Sequence, residues 1–246
     1  MKNRFKIKKT YWRDFWGKQI NGLHRSQDES YLETESKEKL FHLGSGEKLL
    51  DFGCGSADLL AYYFPHYKLC VGADRSKPLL EKASERLNIF NSQNNVVLLN
   101  SDTDHIWEEL EKTFEQNFKF DCITTGQVIQ YLNKNQIEDF IHNSALHLTD
   151  NGKICLFDIV DSRMNELWSA GLFKQNSFTI SLMAKLLFYR FKGFLNHLRG
   201  KPAHTLGYAY PPSFFINLGE KYNLKTTCVN SMYYEYRYHI IYTRLL

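Results

Sequence analysis

A chain of 246 residues has room for one sizeable α/β domain with a full core and is short for two. Its 31 Lys and Arg against 27 Asp and Glu leave a formal charge of +4, which is mild for a nucleic-acid binder of this size, so no nucleic-acid partner is expected. The charged and apolar fractions, 24% and 43%, are ordinary for a soluble protein, and no window reaches the length of a membrane span.

Met1 to Lys9 is basic but lacks the apolar stretch of a signal peptide. The five cysteines, Cys54, Cys70, Cys122, Cys155 and Cys228, show no paired or metal-type spacing, so no metal is expected. Four of them fall in or beside apolar runs, where a thiol behaves as a small hydrophobe. Dispersed free thiols suit a reducing compartment, and the expectation is a cytoplasmic chain, peripheral at most.

The first segment, Tyr11-Trp12-Arg13-Asp14-Phe15-Trp16 followed by His24-Arg25, is either an aromatic anchor on the core or a cap over a ligand. Asp28 to Leu43 reads as a charged amphipathic helix ended by Gly44. Strands and helices then alternate. Strands are expected at Glu47 to Phe52, Lys68 to Ala73, Val96 to Leu99, Phe120 to Thr125 and Lys153 to Ile159. Helices are expected at Ala57 to Phe64, Lys77 to Ile89, Asp104 to Phe114 and Gln136 to Leu148, the last closed by an Asn151-Gly152 turn. Five short apolar runs separated by helices indicate a buried parallel sheet covered on both faces.

Beyond Asp161 the pattern changes. No convincing strand occurs before Pro212, and Phe178 to Arg199 is a long apolar-basic helix. Met183, Leu187, Phe191, Phe194, Leu195 and Leu198 share one of its faces, with Lys185, Lys192, Asn196 and Arg199 opposite. Such a helix is either a lid on its own domain or a peripheral contact with an anionic membrane, here through residues 178–199. Ser213 to Tyr222 is a helix, and Leu224 to Asn230 with Tyr236 to Leu245 forms an antiparallel hairpin at the sheet edge. Alternation puts Tyr236 and Tyr238 on one face and Arg237 and His239 on the other, and Arg237 suits a carboxylate or phosphate on a substrate. The expected division is an N-terminal helical cap (1–45), a ligand-binding core (46–160), a helical insertion (161–212), and a helix with hairpin (213–246).

The strongest local signal is Leu49-Leu50-Asp51-Phe52-Gly53-Cys54-Gly55. A strand ends in an acid, and two glycines at alternate positions let the backbone turn sharply and approach a ligand where a Cβ would collide. Asp74 ends the next strand, where a carboxylate can accept both hydroxyl protons of a ribose. Asp102 follows the third strand, placed either to reach an adenine amino group or to cap the next helix. Acids at the ends of three successive parallel strands face one crevice, the place where open α/β sheets bind ligands.

These residues resemble a known family. The run LLDFGCGSADLL resembles the first motif of the class I S-adenosylmethionine-dependent methyltransferases. GADRSKPLLEKA is similar to their second, FDCITTGQVIQYL to their fourth, and GKICLFDIV to the fifth strand. The resemblance implies an α/β, Rossmann-like, seven-stranded sheet in the order 3-2-1-4-5-7-6, mostly parallel with strand seven antiparallel. It further implies S-adenosyl-L-methionine as cofactor, with Asp51, Gly53, Cys54 and Gly55 at its methionine end. Asp74 would take the ribose, Arg75, Asp102 and Thr103 the adenine, and Thr125 and Gly126 would pass beside the sulfonium.

The sequence departs from the pattern in two places: Ala57 stands where a third glycine is common, and Gln127 to Gln130 lacks the histidine often seen there. A nicotinamide-dependent dehydrogenase is the runner-up, but its third glycine would fall at Asp58. A non-catalytic cofactor- or partner-binding subunit is a further alternative.

A general base is needed only where the acceptor must lose a proton. The candidates are His24, Asp158, Asp161, His204 and His239, with Asp158 and His239 the preferred catalytic pair. Tyr11, His24, Arg25, Tyr236 and Arg237 are the expected substrate-binding residues. No Asn/Asp-Pro-Pro-aromatic run follows strand four, which argues against methylation of a base amino group. The Tyr-Arg-Tyr-His ending and the aromatic N-terminal segment resemble methyltransferases of bacterial surface-glycan and natural-product pathways. The expected acceptor is therefore a small molecule, sugar or glycan, methylated on oxygen.

Overall fold

A computed structural model of the chain describes residues 11–16, 28–89, 96–114, 118–171, 180–198 and 207–245. Seven strands form one sheet in the order β3-β2-β1-β4-β5-β7-β6. They are β1 (Gly46–Phe52), β2 (Tyr67–Asp74), β3 (Val96–Asn100), β4 (Phe120–Gly126), β5 (Leu148–Val160), β6 (Leu224–Asn230) and β7 (Arg237–Arg244). The first five are parallel; β7 lies antiparallel between β5 and β6. This insertion distinguishes the sheet from the all-parallel 3-2-1-4-5-6 order of dinucleotide-binding dehydrogenases.

Helices cover both faces. On one side α2 (Glu29–Leu43), α3 (Leu60–Tyr63) and α4 (Lys77–Ile89) bury Leu32, Leu60, Leu80 and Leu87 against Leu49 and Cys70. On the other, α5 (Ile106–Thr113), α6 (Lys134–Leu146) and α9 (Pro212–Lys221) bury Ile106, Phe140 and Phe215 against Leu50, Ile123 and Ile240. The outlying helices are α1 (Tyr11–Trp16), α7 (Asn165–Ala170) and α8 (Ile180–Leu198). Among the described residues no helix is long and apolar enough to cross a membrane.

Local chemistry fixes the ends. Asp28 caps α2, its carboxylate accepting from the Tyr31 amide at 3.0 Å, and Gly44 closes the helix at φ +67°. Asn133 and Gln136 form a capping box at α6. Two expectations need correction. Ala57 to Phe64 yields a helix only at Leu60–Tyr63, because Ala57 sits at φ +59°, which a right-handed helix does not admit. The Asn151-Gly152 turn lies inside β5. There Phe120 pairs with Leu148 but Cys122 with Lys153, so β5 carries extra residues that bulge out around positions 149–152.

Candidate active site

The register of the strands puts the three acids on one rim. Asp51 lies beside Gly72, Phe52 beside Ala73, and Asp74 beside Asn100, one residue before Ser101-Asp102. The β1 turn is tied directly to β2: the Gly53 and Cys54 amides donate to the Ala73 carbonyl at 2.7 and 3.1 Å. The Gly55 amide donates to Asp74 Oδ2 at 3.0 Å, and the Ser76 amide to Oδ1 at 2.8 Å. Burial raises the Asp74 carboxyl above its ordinary range, outweighing the stabilising bonds from the Ser76 and Gly55 amides.

The two turn glycines differ in what they permit. At Gly53, φ +79°, a Cβ would fall 2.2 Å from Val128 Cγ2, so glycine is required by the protein itself. At Gly55, φ +56°, a Cβ would meet nothing within 4 Å, so the space beside it is left for something other than protein. A narrow cleft open to solvent is lined here by Asp51, Gly53, Cys54, Leu59, Tyr63, Thr124 and Gly126. Burial pushes the Cys54 thiol well up, with the Asp74 and Asp51 carboxylates adding to it, so Cys54 presents a neutral, apolar wall.

Arg75 and Asp102 approach to 3.6 Å at the β2–β3 end of the rim. Asp102 also accepts from the Asp104 amide and meets His105 Nδ1 at 2.8 Å, so it organises the turn into α5 as well as facing Arg75. Thr103 is half-buried in the same turn. Across the rim, Thr125 is fully buried, and its hydroxyl has no hydrogen-bond partner among the described residues. Two non-glycine residues beside this edge, Ala57 and Gln127, have positive φ, a backbone strain that accumulates around ligand sites.

Asp158 and His239 are brought together, but not at the cleft. Lys39 of α2 inserts between them and Glu38. Its Nζ lies 2.6 Å from Glu38 Oε2 and 3.1 Å from Asp158 Oδ1, and all four side chains are at most 5% exposed. The Asp158 amide donates to His239 Nδ1 at 3.1 Å, so the neutral ring carries its proton on Nε2, which donates to Glu38 Oε1 at 3.1 Å. Ser231 adds a hydroxyl to Asp158 and the Met232 amide donates to Glu38 Oε1. Burial pushes the Glu38 carboxyl up, but the bonds from His239 and Lys39 prevail and hold it at about 2. Neither Asp158 nor His239 lines the cleft, whose described lining has one carboxylate, Asp51, and no histidine.

The polar face of β7 is present, and its side chains are buried. Arg237, Tyr238, His239 and Ile240 are all buried, because β7 is an interior strand. Arg237 Nη1 donates to Gln130 Oε1 at 2.7 Å and to the Asp158 carbonyl at 2.6 Å. Its guanidinium carbon lies 5.3 and 5.1 Å from the Tyr234 and Tyr236 ring centres. Nε and Nη2 are buried with no acceptor among the described residues.

Next to Gln130, Tyr131 carries the rings of Trp12 and Trp16 at 4.9 and 5.0 Å, so α1 folds onto the segment that follows β4. Tyr236 stacks on Trp168 of α7 at 4.2 Å. Asp161 is held by Arg163 through short ion-pair contacts. His24, Arg25, His204 and the Tyr11 side chain lie outside the described residues. Glu38 and Lys39 escaped the sequence reading. The signal was there, since Leu32, Glu35, Ser36, Lys39 and Leu43 follow helical spacing along the buried face of α2.

Residues 50–154 match a protein-family model described as a methyltransferase domain. No curated protein matches the chain in sequence. Among solved structures, the mitomycin 7-O-methyltransferase superposes with a TM-score of 0.55 at 14% identity over 87% of this chain. The chain spans about half of that protein, 54% of its length. Magnesium protoporphyrin IX methyltransferase from Synechocystis PCC 6803, with bound SAM, gives 0.60 at 12% identity over 96% of both chains. An O-methyltransferase family 2 protein from Planctomyces limnophilus, in complex with apigenin, gives 0.52 at 17% identity over 82% of this chain and 52% of its own. At these identities the likeness is one of fold.

Proposed function

Because residues 50–154 match a methyltransferase-domain model and the sheet has the order β3-β2-β1-β4-β5-β7-β6, we propose that the chain transfers the methyl group of S-adenosylmethionine to an oxygen of a small molecule, sugar or glycan. The observation that carries this reading is the Gly53–Gly55 turn: bonded to Asp74, open at Gly55, and bordering a cleft lined by Asp51. The residues present fit the cofactor. Asp51 and the turn from Gly53 to Gly55 would border its methionine end, Asp74 would take its ribose and Arg75, Asp102 and Thr103 its adenine, while Thr125 and Gly126 would pass beside its sulfur.

When bound, the cofactor would supply an electrophilic methyl group to an acceptor hydroxyl, whose proton would be released to bulk solvent. The chain contributes chiefly by holding the acceptor in line and keeping water out, an effect worth up to roughly 7–11 kcal/mol. Tyr131 with Trp12 and Trp16 supplies an apolar wall next to β4. Arg237, with two buried guanidinium nitrogens lacking an acceptor among the described residues, is the anchor for a carboxylate or phosphate on the acceptor. Asp158 and His239 fix the ends of β5 and β7 rather than move the proton, since Lys39 and Glu38 occupy the faces an acceptor would need. In this division residues 46–160 hold the cofactor, and 1–45 with 161–212 frame the acceptor.

Equilibrium dialysis with S-adenosylmethionine and, separately, NAD tests the proposal. Retention of the first and not the second is expected; retention of NAD alone would overturn it. For the acceptor, a saturating aryl carboxylate or sugar phosphate should raise the melting temperature of the parent and leave Arg237→Met unmoved.

A further inference from the structure

The helix α8 turns an apolar face to solvent. Ile180, Met183, Leu187, Phe188, Phe191 and Phe194 are between 45% and 91% exposed, and they make up half of the large apolar side chains exposed among the described residues. At 100° per residue they fall on one broad side of the helix. The opposite side is where the helix meets the protein: Leu182 and Gly193 are buried, α8 packs on α7, and Arg190 Nε reaches Glu166 Oε2 at 2.8 Å. The helix is therefore fixed to the body by its narrow side with its broad apolar side outward. Soluble monomers rarely expose so many apolar groups contiguously.

Charge identifies what covers this face. The helix contains no Asp or Glu, while Lys185 and Lys192 are exposed along one flank of the apolar side. A second copy of the same face would bring these cations against one another with no carboxylate on the helix to pair with them. A bilayer containing anionic phospholipid supplies both an acyl boundary for the six apolar groups and phosphates for the flanking cations. The helix is also of the wrong kind to span, since no described helix is long and apolar enough to cross. An orientation in the plane of the surface satisfies both the packed side and the exposed side.

We propose that α8 is a membrane-surface helix that docks the protein on anionic phospholipid, with Phe188, Phe191 and Phe194 entering the headgroup–acyl boundary and Lys185 and Lys192 on the phosphates. This goes beyond methyl transfer and does not depend on it.

The test is co-sedimentation of the full chain with vesicles of phosphatidylcholine alone, or with added phosphatidylglycerol, at low and high salt. Binding to the anionic vesicles that weakens with salt is expected. Phe188→Ser with Phe191→Ser should lower the partition coefficient at least about 100-fold. Lys185→Gln or Lys192→Gln should lower it about fivefold each. These side chains are exposed, so far-UV circular dichroism and affinity for S-adenosylhomocysteine should match the parent. No binding to anionic vesicles at low salt, equal binding to neutral ones, or unchanged binding by the phenylalanine variant would each overturn the proposal. A monomer–dimer equilibrium in sedimentation velocity that the phenylalanine variant abolishes would assign the face to a second copy instead.

Discussion

Replacing Lys39 with methionine tests how the rim of the sheet is held. The ammonium sits 2.6 Å from Glu38 and 3.1 Å from Asp158, with none of the three side chains more than 5% exposed. Methionine fills similar volume but leaves two buried carboxylates without their shared cation, a change expected to cost about 3–5 kcal/mol. The acid limb of stability gives a second reading. The Glu38 carboxyl lies at about 2 in the folded protein against an ordinary 4.5, with burial opposing and His239 and Lys39 producing the shift. At about 1.4 kcal/mol per pH unit of separation, Glu38 contributes about 3 kcal/mol. Because its folded value is depressed, that contribution is complete above about pH 4.5 and disappears as pH falls toward about 2. Urea unfolding of the parent, Lys39→Met, Asp158→Asn and the double variant, at pH 7 and across pH 2–5, measures both effects. The single lysine variant should lose at least about 3 kcal/mol and show a flatter acid limb. The double variant should lose less than the two singles together. A loss below about 1 kcal/mol for Lys39→Met, or full additivity, would refute the buried-cluster reasoning.

The two glycines of the turn should separate stability from binding. Gly53→Ala brings its Cβ against Val128 and strains a positive φ, so thermal unfolding should show a loss of about 2–4 kcal/mol. Gly55→Ala meets no protein atom, so it should lose only about 1–2 kcal/mol, yet abolish binding of S-adenosylhomocysteine. If Gly55→Ala binds normally, the open space beside that residue is not the ligand's. Tyr131→Ala removes the ring that Trp12 and Trp16 pack on, and should red-shift tryptophan emission as α1 loses its seat. An unchanged spectrum would show that α1 is held by something else.

The sheet was legible because its central strands are buried and rich in apolar residues, and because each first-half strand ends in or just before an acid or a glycine turn. The cofactor-side residues were legible for the same reason: local sequence sets their place at a strand tip, and the parallel register does the rest. Asp158 and His239 were visible as polar residues at strand ends, but their surroundings were not. Lys39 comes from a helix 119 positions away from Asp158, and nothing in either segment announces the other. A lysine in a helix reads as a solvated charge, so α2 looked amphipathic with a charged outside, whereas its charges partly face in. The Asn151-Gly152 pair looked like a turn for a sound chemical reason, and the sheet absorbed it as a bulge.

Calorimetric titration with S-adenosylhomocysteine, parent against Asp74→Ala, tests the proposed crevice most directly. Micromolar affinity in the parent, weakened at least about tenfold when the Asp74 carboxylate is removed, is the predicted result. Equal affinity in both proteins would contradict it, because the ribose would then be held somewhere other than the tip of β2.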